Sequence, residues 1–451
     1  MQSAQAALPP GPPLRRRGLR SLGYYARFAI DPIGFVGERF ATYGDAYFAP
    51  SEDGGLFVLR HPDHLHDVLV ANASSFEKTH TAFQALGRVL GEGLLTTDGA
   101  TWMRQRRLVQ PAFSPTRLAR YAAVMTDEAE RTVAEMLREG EGDVGHAMTE
   151  ATLRIVGRAL FGRDVGGDTD DVAGAMRVFQ TSLTQVDIVP QWVPYPPREK
   201  LARALATLDR IVFDLIAKRR AEGGEAGDDL LSMLVAATDD EGGGTKLTER
   251  EVRDQLVTLF LAGHETTANA LTWTLYLLGR TPEVRRTLVA EVDRVLAGRA
   301  ATYDDLSALP YTRAVVDEAM RLYPPVFAIA RRAREDTRIG PYAVTGGTEV
   351  MLWPYFTHRD ARLWPAPLAF RPERFLEEAK DRPRLAYLPF GAGPRACIGR
   401  AFAAIEAQIL LATVMAKVEL TPSSPAEIAA KPRITLCPSK PVRMRARPRT
   451  A

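Results

Sequence analysis

Apolar residues recur with the period of an α-helix along most of the chain, and three such stretches have definable ends. The longest starts at Thr248, which is followed three residues later by Glu251, the spacing of a capping box at a helix N-terminus. This pattern continues to about Gly279, so the helix would cross the whole molecule at about 1.5 Å per residue. Two further helices are predicted over Thr312–Leu322, which prolines end, and over Ala401–Val418.

Two short stretches have β-like character instead of a helical period. They are Leu56–Leu59 and Val344–Met351, one early and one late in the chain. Glycine-rich segments at Glu222–Asp229 and Glu241–Gly244 are typical of loops. The pattern therefore predicts a mainly α fold with a small β subdomain to which both the early and the late chain contribute.

Neither an internal repeat nor a long linker divides the chain, so residues 1–451 are predicted to form a single domain. Within it we expect an N-terminal lead rich in Pro and Arg over residues 1–20. The small β-rich part is expected at about residues 40–70 and 326–352, and the rest is expected to be a helical body. Length alone does not decide the domain count, because large single-domain enzymes reach 451 residues.

The composition restricts the class of protein. A hydrophobic content of 46% and a charged content of 25% are those of a globular protein with a large core. The net charge of +3, from 58 basic and 55 acidic residues, is too balanced to indicate nucleic-acid binding. No apolar run is long enough for a transmembrane helix, and the N-terminus lacks the pattern of a signal peptide. Two distant cysteines form no disulfide framework, so a reducing cytosol is expected.

One of the two cysteines lies in a glycine-rich turn. The segment Phe390-Gly391-Ala392-Gly393-Pro394-Arg395-Ala396-Cys397-Ile398-Gly399 leads into the predicted helix Ala401–Val418. Cys397 therefore comes at a helix N-terminus, where backbone dipoles and N–H groups favour the thiolate. The glycines would let a flat, bulky partner lie against the backbone. The alternative is that Cys397 is a small buried hydrophobe in a turn.

A second candidate site is a donor pair on a predicted helix. Asp98 or Thr101 can cap a helix in which Trp102 and Arg106, four residues apart, share a face. An indole N–H and a guanidinium together are suited to bind a carboxylate. The alternative is packing plus a surface charge.

The middle of the long helix reads Ala262-Gly263-His264-Glu265-Thr266-Thr267. Glycine and adjacent threonine hydroxyls weaken a helix, so a local opening could admit water or a small molecule. A carboxylate next to a hydroxyl offers a proton relay, although Gly263 alone would be a tolerated helix glycine. His264 is expected to be a histidine on a polar helix face. The later pair Glu318 and Arg321 is by itself typical of a weak surface salt bridge.

Several of these segments resemble hallmarks of one family. Phe-Gly-x-Gly-x-Arg-x-Cys-x-Gly resembles the haem-binding loop of the cytochrome P450 family, and Ala-Gly-x-Glu-Thr-Thr resembles its oxygen-activation segment. Glu-x-x-Arg at Glu318, followed about fifty residues later by Phe370-Arg371-Pro372-Glu373-Arg374-Phe375, is similar to two further motifs. Between Gly93 and Val418 the order and spacing match throughout. The resemblance implies the cytochrome P450 fold, with a long central oxygen-binding helix and a proximal loop that carries the cysteine ligand.

The resemblance also implies a cofactor, haem b (iron protoporphyrin IX), with Cys397 as the axial ligand of the iron. Thr266 and Glu265 are implied as the catalytic proton relay, and Glu318, Arg321 and Arg374 as a buried network that supports folding. Arg332 competes with Arg331 for a haem propionate, and His80 is a further propionate candidate. The residues implied to bind the cofactor are Cys397, Arg395, Phe390, Gly391, Trp102, Arg106, Arg331 and Ala262.

The implied activity is that of a haem-thiolate monooxygenase, which inserts one atom of O2 into a C–H bond of a small lipophilic substrate. A fatty acid, terpenoid, steroid or polyketide-like molecule would fit, held by Val326–Ile329 under a roof at Thr79–Leu90 and Thr181–Pro197. Electrons would come from a separate acidic ferredoxin or flavodoxin with its reductase, docked on Arg104, Arg107 and Arg400. A soluble, monomeric, cytoplasmic protein of the bacterial type is expected. The alternatives are a peroxide-driven peroxygenase and a non-catalytic haem sensor or carrier.

Overall fold

The computed structural model describes residues 8–14, 19–52, 54–78, 86–87, 90–162, 174, 178, 196–221, 229–239, 244–376 and 382–449. Most of these residues are helical. The α-helices are α1 (Leu19–Ile30), α2 (Pro32–Tyr43), α3 (Pro62–His66), α4 (Gly99–Val109), α5 (Pro115–Glu139), α6 (Val144–Phe161), α7 (Pro196–Ala221), α8 (Leu230–Ala236), α9 (Glu249–Arg280), α10 (Pro282–Leu296), α11 (Pro310–Leu322), α12 (Pro354–Thr357) and α13 (Arg400–Lys417).

The strands are short, and most of them lie before α4 or after α11. They are β1 (Ala46–Ser51), β2 (Gly54–Leu59), β3 (Phe76–Glu77), β4 (Glu141–Asp143), β5 (Thr238–Asp239), β6 (Thr245–Lys246), β7 (Ile329–Ala333), β8 (Thr337–Ile339), β9 (Tyr342–Val344), β10 (Glu349–Leu352), β11 (Val418–Pro422), β12 (Ala430–Pro432), β13 (Leu436–Pro438) and β14 (Arg443–Pro448). The prediction of a mainly α fold with small sheets is confirmed.

The chain forms two compact units. Unit 1 comprises Met1–Phe83, Asp317–Cys397 and Ala430–Cys437. Unit 2 comprises Gln84–Val316, Ile398–Ala429 and Pro438–Ala451. The prediction of a single domain over residues 1–451 stays a prediction.

Unit 1 is built on a five-stranded sheet of order β1-β2-β10-β7-β3. Strand β10 pairs with β2 in parallel and with β7 antiparallel, so the early and the late chain share the sheet, as the sequence predicts. Successive side chains of a strand point to opposite faces. Accordingly, Phe57 and Leu59 of β2 belong to one hydrophobic cluster, and Val58 between them belongs to another. The sheet of unit 1 therefore has an apolar core on each face.

The predicted strand Val344–Met351 is in fact two strands. Strand β9 ends at Val344 and β10 begins at Glu349. Gly347 between them has a φ of +88°, which favours glycine and belongs to a turn. The strand after the prolines likewise begins only at Ile329, so Val326 to Ala328 are irregular.

Unit 2 is a helical body around α9. The capping box at its start is complete, because Thr248 and Glu251 each accept from the other's backbone N–H. The predicted end near Gly279 agrees with the observed end at Arg280. Helix α9 lies against α6, where the Thr152 hydroxyl donates to the His264 carbonyl at 3.1 Å. A methyl group added at Gly263 would lie 3.0 Å from Val156, so glycine allows this close approach.

Several predicted segments lie wholly or mostly outside the described residues. They include the roof segments Thr79–Leu90 and Thr181–Pro197, the two glycine-rich loops, and His80. Among the helices that the structure describes, none combines the length and the apolar character needed to cross a bilayer.

Candidate functional site

In unit 1, backbone hydrogen bonds close the loop that carries Cys397. The Cys397 N–H donates to the Phe390 carbonyl at 2.9 Å, and the Gly391 N–H donates to the Leu388 carbonyl at 3.0 Å. Within this loop, residues Gly393–Arg395 form a single 3-10 turn. The Cys397 residue is exposed, and helix α13 begins three positions later in sequence, at Arg400. The loop therefore holds the thiol at the surface of unit 1.

Two glycines of this loop have left-handed backbone conformations but different surroundings. The φ angles of Gly391 and Gly393 are +68° and +67°. A methyl group at Gly393 would lie 1.8 Å from the Leu69 carbonyl oxygen, so only glycine allows the two backbones to approach there. At Gly391, apart from its own chain neighbours, the described residues place no heavy atom within 4 Å of that position. An exposed thiol beside open space fits the single cysteine ligand of a haem iron.

Three charged side chains of unit 1 form a fully buried network. Glu318 accepts two bonds from Arg321, at 2.7 and 2.8 Å, and one from Arg374 at 3.2 Å. The backbone N–H of Arg371 adds a fourth bond at 2.9 Å. The three side chains are 0% exposed, although the pair Glu318 and Arg321 taken alone would suggest a surface salt bridge. The structure thus brings together the residues that the resemblance implies.

His358 connects this network to the cysteine loop. Its carbonyl accepts from Arg321 at 2.7 Å, and its Nε2 accepts from the Leu388 N–H at 3.0 Å. Burial, together with the charges of Arg321 and Arg359, holds the pKa of His358 well below its ordinary value. The neutral ring therefore carries its proton on Nδ1, because Nε2 is an acceptor. The prediction of a structural, hydrogen-bonding histidine is confirmed.

Neighbouring arginines of β7 point to opposite faces. Arg331 is 7% exposed, and its guanidinium donates to the Ala330 carbonyl at 2.8 Å. Arg332 donates to the Gly347 carbonyl at 3.1 Å. Just upstream, Val326 is 39% exposed. Phe327 and Ala328 instead pack against the hydrophobic cluster of unit 1 that contains Trp353.

Unit 2 holds the Trp/Arg pair on α4. Asp98 caps this helix by accepting from the Gly99 N–H, so the first of the two predicted caps is the observed one. Trp102 and Arg106 are half-buried and one helical turn apart. Arg104 is engaged elsewhere, since it donates to Glu251 at 2.6 Å and to the Lys246 carbonyl at 3.0 Å.

Thr266 and Thr267 of α9 both use backbone carbonyls of their own helix. The Thr266 hydroxyl donates to the Ala262 carbonyl at 2.8 Å, and that of Thr267 donates to the Gly263 carbonyl at 3.3 Å. The helix nevertheless continues unbroken through this segment, so the local opening is not seen. Ala262 is exposed, and Glu265 and Thr266 are half-buried. One face of an otherwise largely buried helix is therefore accessible.

The prediction that His264 lies on a polar helix face is wrong. Its side chain is 1% exposed, and its Nδ1 lies 2.8 Å from the Phe260 carbonyl. Burial lowers the pKa of His264, so the ring is neutral near pH 7. The side chain belongs to the packing of unit 2.

Sequence reasoning missed Glu406 on α13. This residue is 0% exposed, and burial raises the pKa of its carboxyl well above the ordinary value, an effect that the Thr267 hydroxyl partly opposes. The available signal was an acidic residue inside the apolar pattern of Ala401–Val418.

Comparisons with known proteins agree with these features. The family model described as Cytochrome P450 matches residues 32–445. Cyclooctatin synthase of Streptomyces melanosporofaciens is 37% identical over 425 residues, which cover 93% of this chain and 92% of the relative. Cyclooctat-9-en-7-ol 5-monooxygenase of the same organism is 34% identical over 407 residues, covering 89% and 88%. A solved heme domain of a cytochrome P450DA mutant superimposes with a TM-score of 0.87 at 26% identity, covering 98% of both chains.

Proposed function

Because this chain belongs to the cytochrome P450 family, we propose that Cys397 is the thiolate ligand of its haem and that the substrate is a lipophilic carbocycle. The protein is a monooxygenase, an oxidoreductase that uses O2 and electrons from a redox partner. Its cofactor is haem with a cysteine thiolate ligand. When bound, the haem supplies the activation of dioxygen.

The exposed thiol in its closed loop is the observation that carries this proposal. Cys397 is exposed beside the open space at Gly391. Cys437 is half-buried, and its sulfur lies 3.4 Å from the Thr435 hydroxyl. Of the two cysteines, Cys397 is therefore the one whose surroundings suit a large, flat ligand.

The haem carboxylates need N–H donors, and four side chains supply them. Trp102 and Arg106 share a face of α4, Arg331 is buried on β7, and Arg395 ends the turn before Cys397. Guanidinium and indole N–H groups form strong bonds to carboxylates. Phe390 and Gly391 flank the thiol loop, and Ala262 offers a small exposed side chain on α9. We assign these residues to cofactor binding.

Glu265 and Thr266 are proposed to deliver protons during oxygen activation. Glu265 is half-buried, so it can exchange protons with solvent, and the Thr266 hydroxyl is the next group along α9. To donate, this hydroxyl has to leave the Ala262 carbonyl, which it contacts at 2.8 Å. General acid catalysis by a positioned group contributes roughly 10²–10⁴-fold to a rate.

The proton relay is tested by Thr266→Ala, with Thr274→Ala as the matched control. Thr274 makes the same bond to the carbonyl four residues back, at 2.7 Å, and is buried two turns further along α9. We expect Thr266→Ala to divert consumed electrons from product to peroxide, whereas Thr274→Ala keeps the wild-type ratio. A wild-type ratio in Thr266→Ala, with haem fully loaded, would contradict the relay. Equal turnover with peroxide and with O2 would favour the peroxygenase alternative.

The substrate class rests on the relatives whose names state it. One of them is a 5-monooxygenase of cyclooctat-9-en-7-ol, a cyclic unsaturated alcohol by its name. Val326, before β7, contributes an exposed apolar side chain to binding. Displacement of water from the iron by a candidate compound changes the haem spectrum. A panel of cyclooctat-9-en-7-ol, a steroid, a polyketide and a long-chain fatty acid should show tightest binding for the carbocyclic alcohol. Binding of the fatty acid alone would refute this class.

We further propose that the redox partner is an acidic ferredoxin or flavodoxin that docks on Arg107 and Arg400. Both residues are exposed, whereas Arg104 is paired with Glu251. Complementary charge mainly raises the rate of association and makes it dependent on salt. Arg400→Glu should therefore raise the KM for an acidic donor and weaken its salt dependence. Arg433→Glu, at another exposed arginine, serves as the control and should leave both unchanged.

A further inference from the structure

Glu406 is a buried carboxyl beside the helix that carries the proposed proton relay, and the described residues place no counter-ion on it. It is the only acidic residue of α13, and its side chain is 0% exposed. Both carboxyl oxygens are buried and have no hydrogen-bond partner among the described residues. Buried polar groups of folded proteins are nearly always hydrogen-bonded, so this one requires an explanation.

The surroundings of Glu406 favour the neutral acid. Burial raises the pKa of this carboxyl, and the opposing influence comes from a hydroxyl, that of Thr267, which carries no charge. A neutral carboxylic acid has an O–H group to donate, whereas a carboxylate has only acceptors. Glu406 therefore needs an acceptor, and the Thr267 hydroxyl on α9 lies close enough to influence its pKa.

The Thr267 hydroxyl bonds to the carbonyl four residues back less closely than the hydroxyls of three other threonines of α9 do. The Thr266, Thr272 and Thr274 hydroxyls contact the carbonyls four residues back at 2.8, 2.7 and 2.7 Å. For Thr267 the distance to the Gly263 carbonyl is 3.3 Å. The Thr267 hydroxyl is thus held less tightly by its own helix. Because a hydroxyl can donate and accept at once, it can still receive a bond from Glu406.

We propose that Glu406 is a positioning residue, a neutral carboxylic acid that donates to the Thr267 hydroxyl and so fixes the turn of α9 that carries Thr266. The chain of bonds runs from the Glu406 O–H to the Thr267 oxygen, and from the Thr267 O–H to the Gly263 carbonyl. A methyl group built on Gly263 would lie 3.0 Å from Val156, so this turn of α9 packs closely against α6. The consequence for catalysis rests on the function proposed above for Thr266.

The bond itself is tested by infrared spectroscopy on the purified holoenzyme, without turnover. The difference between wild type and Glu406→Gln should contain the C=O stretch of one protonated carboxylic acid. Thr267→Val should shift that band, because the acid loses its acceptor, while Thr274→Val should leave it in place. The absence of a protonated band, or a band that Thr267→Val does not move, overturns the proposal.

The positioning role is tested by measuring how the electrons consumed during turnover are divided between product and hydrogen peroxide. Glu406→Gln keeps a donor of the same shape and should retain the wild-type ratio. Glu406→Leu has no donor and should increase the peroxide fraction several-fold with little change in KM. If Glu406→Leu does not fold, Thr267→Val takes its place with the same expectation. A wild-type ratio in the donor-free variant refutes the positioning role, whereas a wild-type ratio in Thr266→Ala refutes the relay and leaves the infrared result to decide on the bond.

Discussion

Replacing Glu318 by Gln removes the one negative charge at the centre of the buried network and keeps its shape. Glu318 accepts four bonds, three of them from the guanidinium groups of Arg321 and Arg374, and all three side chains are 0% exposed. The variant removes the carboxylate that pairs with both buried guanidinium groups in the described part of the chain. Removal of one partner of a buried ion pair costs about 3–5 kcal/mol, and two stranded cations place Glu318→Gln at the upper end of that range.

Denaturant unfolding, followed by circular dichroism, measures this loss as a lower midpoint at an unchanged slope. The matched control is Glu38→Gln, which makes the same change in the exposed pair of Glu38 with Arg27. This pair has a length of 2.8 Å, and its side chains are 61% and 63% exposed. Exposed pairs contribute less than about 1 kcal/mol, so Glu38→Gln should be nearly neutral. Equal effects of the two variants would refute the reasoning that burial makes the network stabilising.

Three further predictions use the same measurement of stability. Gly391→Ala should cost about 1–2 kcal/mol because of its positive φ. Gly393→Ala should cost clearly more, because its methyl group would also meet a carbonyl oxygen at 1.8 Å; equal costs would contradict the close approach. His358→Phe removes the acceptor of a buried N–H and should cost about 1–3 kcal/mol; a neutral variant would show that this bond is dispensable. The raised pKa of Glu406 means that the folded state binds more protons than the unfolded state above about pH 4.3, so wild-type stability falls as pH rises from there toward the folded pKa. Glu406→Gln should gain stability relative to wild type by about 1.4 kcal/mol per pH unit in that window, and a constant difference would show an ordinary pKa.

The sequence correctly predicted features of the fold that depend only on residues close together along the chain. The capping box of Thr248 and Glu251 and the Asp98 cap are both formed, because each needs only neighbours along one helix. The segment Val344–Met351 was predicted as one β-like element, although the pair Gly346-Gly347 inside it is itself a sequence signal for a turn. The positive φ of Gly347 confirms that this pair forms a turn, which separates β9 from β10.

Contacts between distant residues explain what sequence reasoning did not predict. Arg104 was expected on a docking face but pairs with Glu251, 147 positions away. His264 was expected on a polar face but is buried, on a part of α9 where Thr152 of α6 donates to the His264 carbonyl. Glu406 was overlooked for the same reason, since an acidic residue in an apolar pattern gains its meaning from the helix beside it.

The most direct test of the central claim is the carbon monoxide spectrum of the reduced holoenzyme, recorded for wild type and for Cys397→Ser. Wild type is expected to give the red-shifted Soret band of thiolate-ligated haem, and Cys397→Ser is expected to lose it, while Cys437→Ser keeps it. A wild-type spectrum of the histidine-ligated kind, or a thiolate band that survives in Cys397→Ser, would contradict the assignment of Cys397 as the iron ligand.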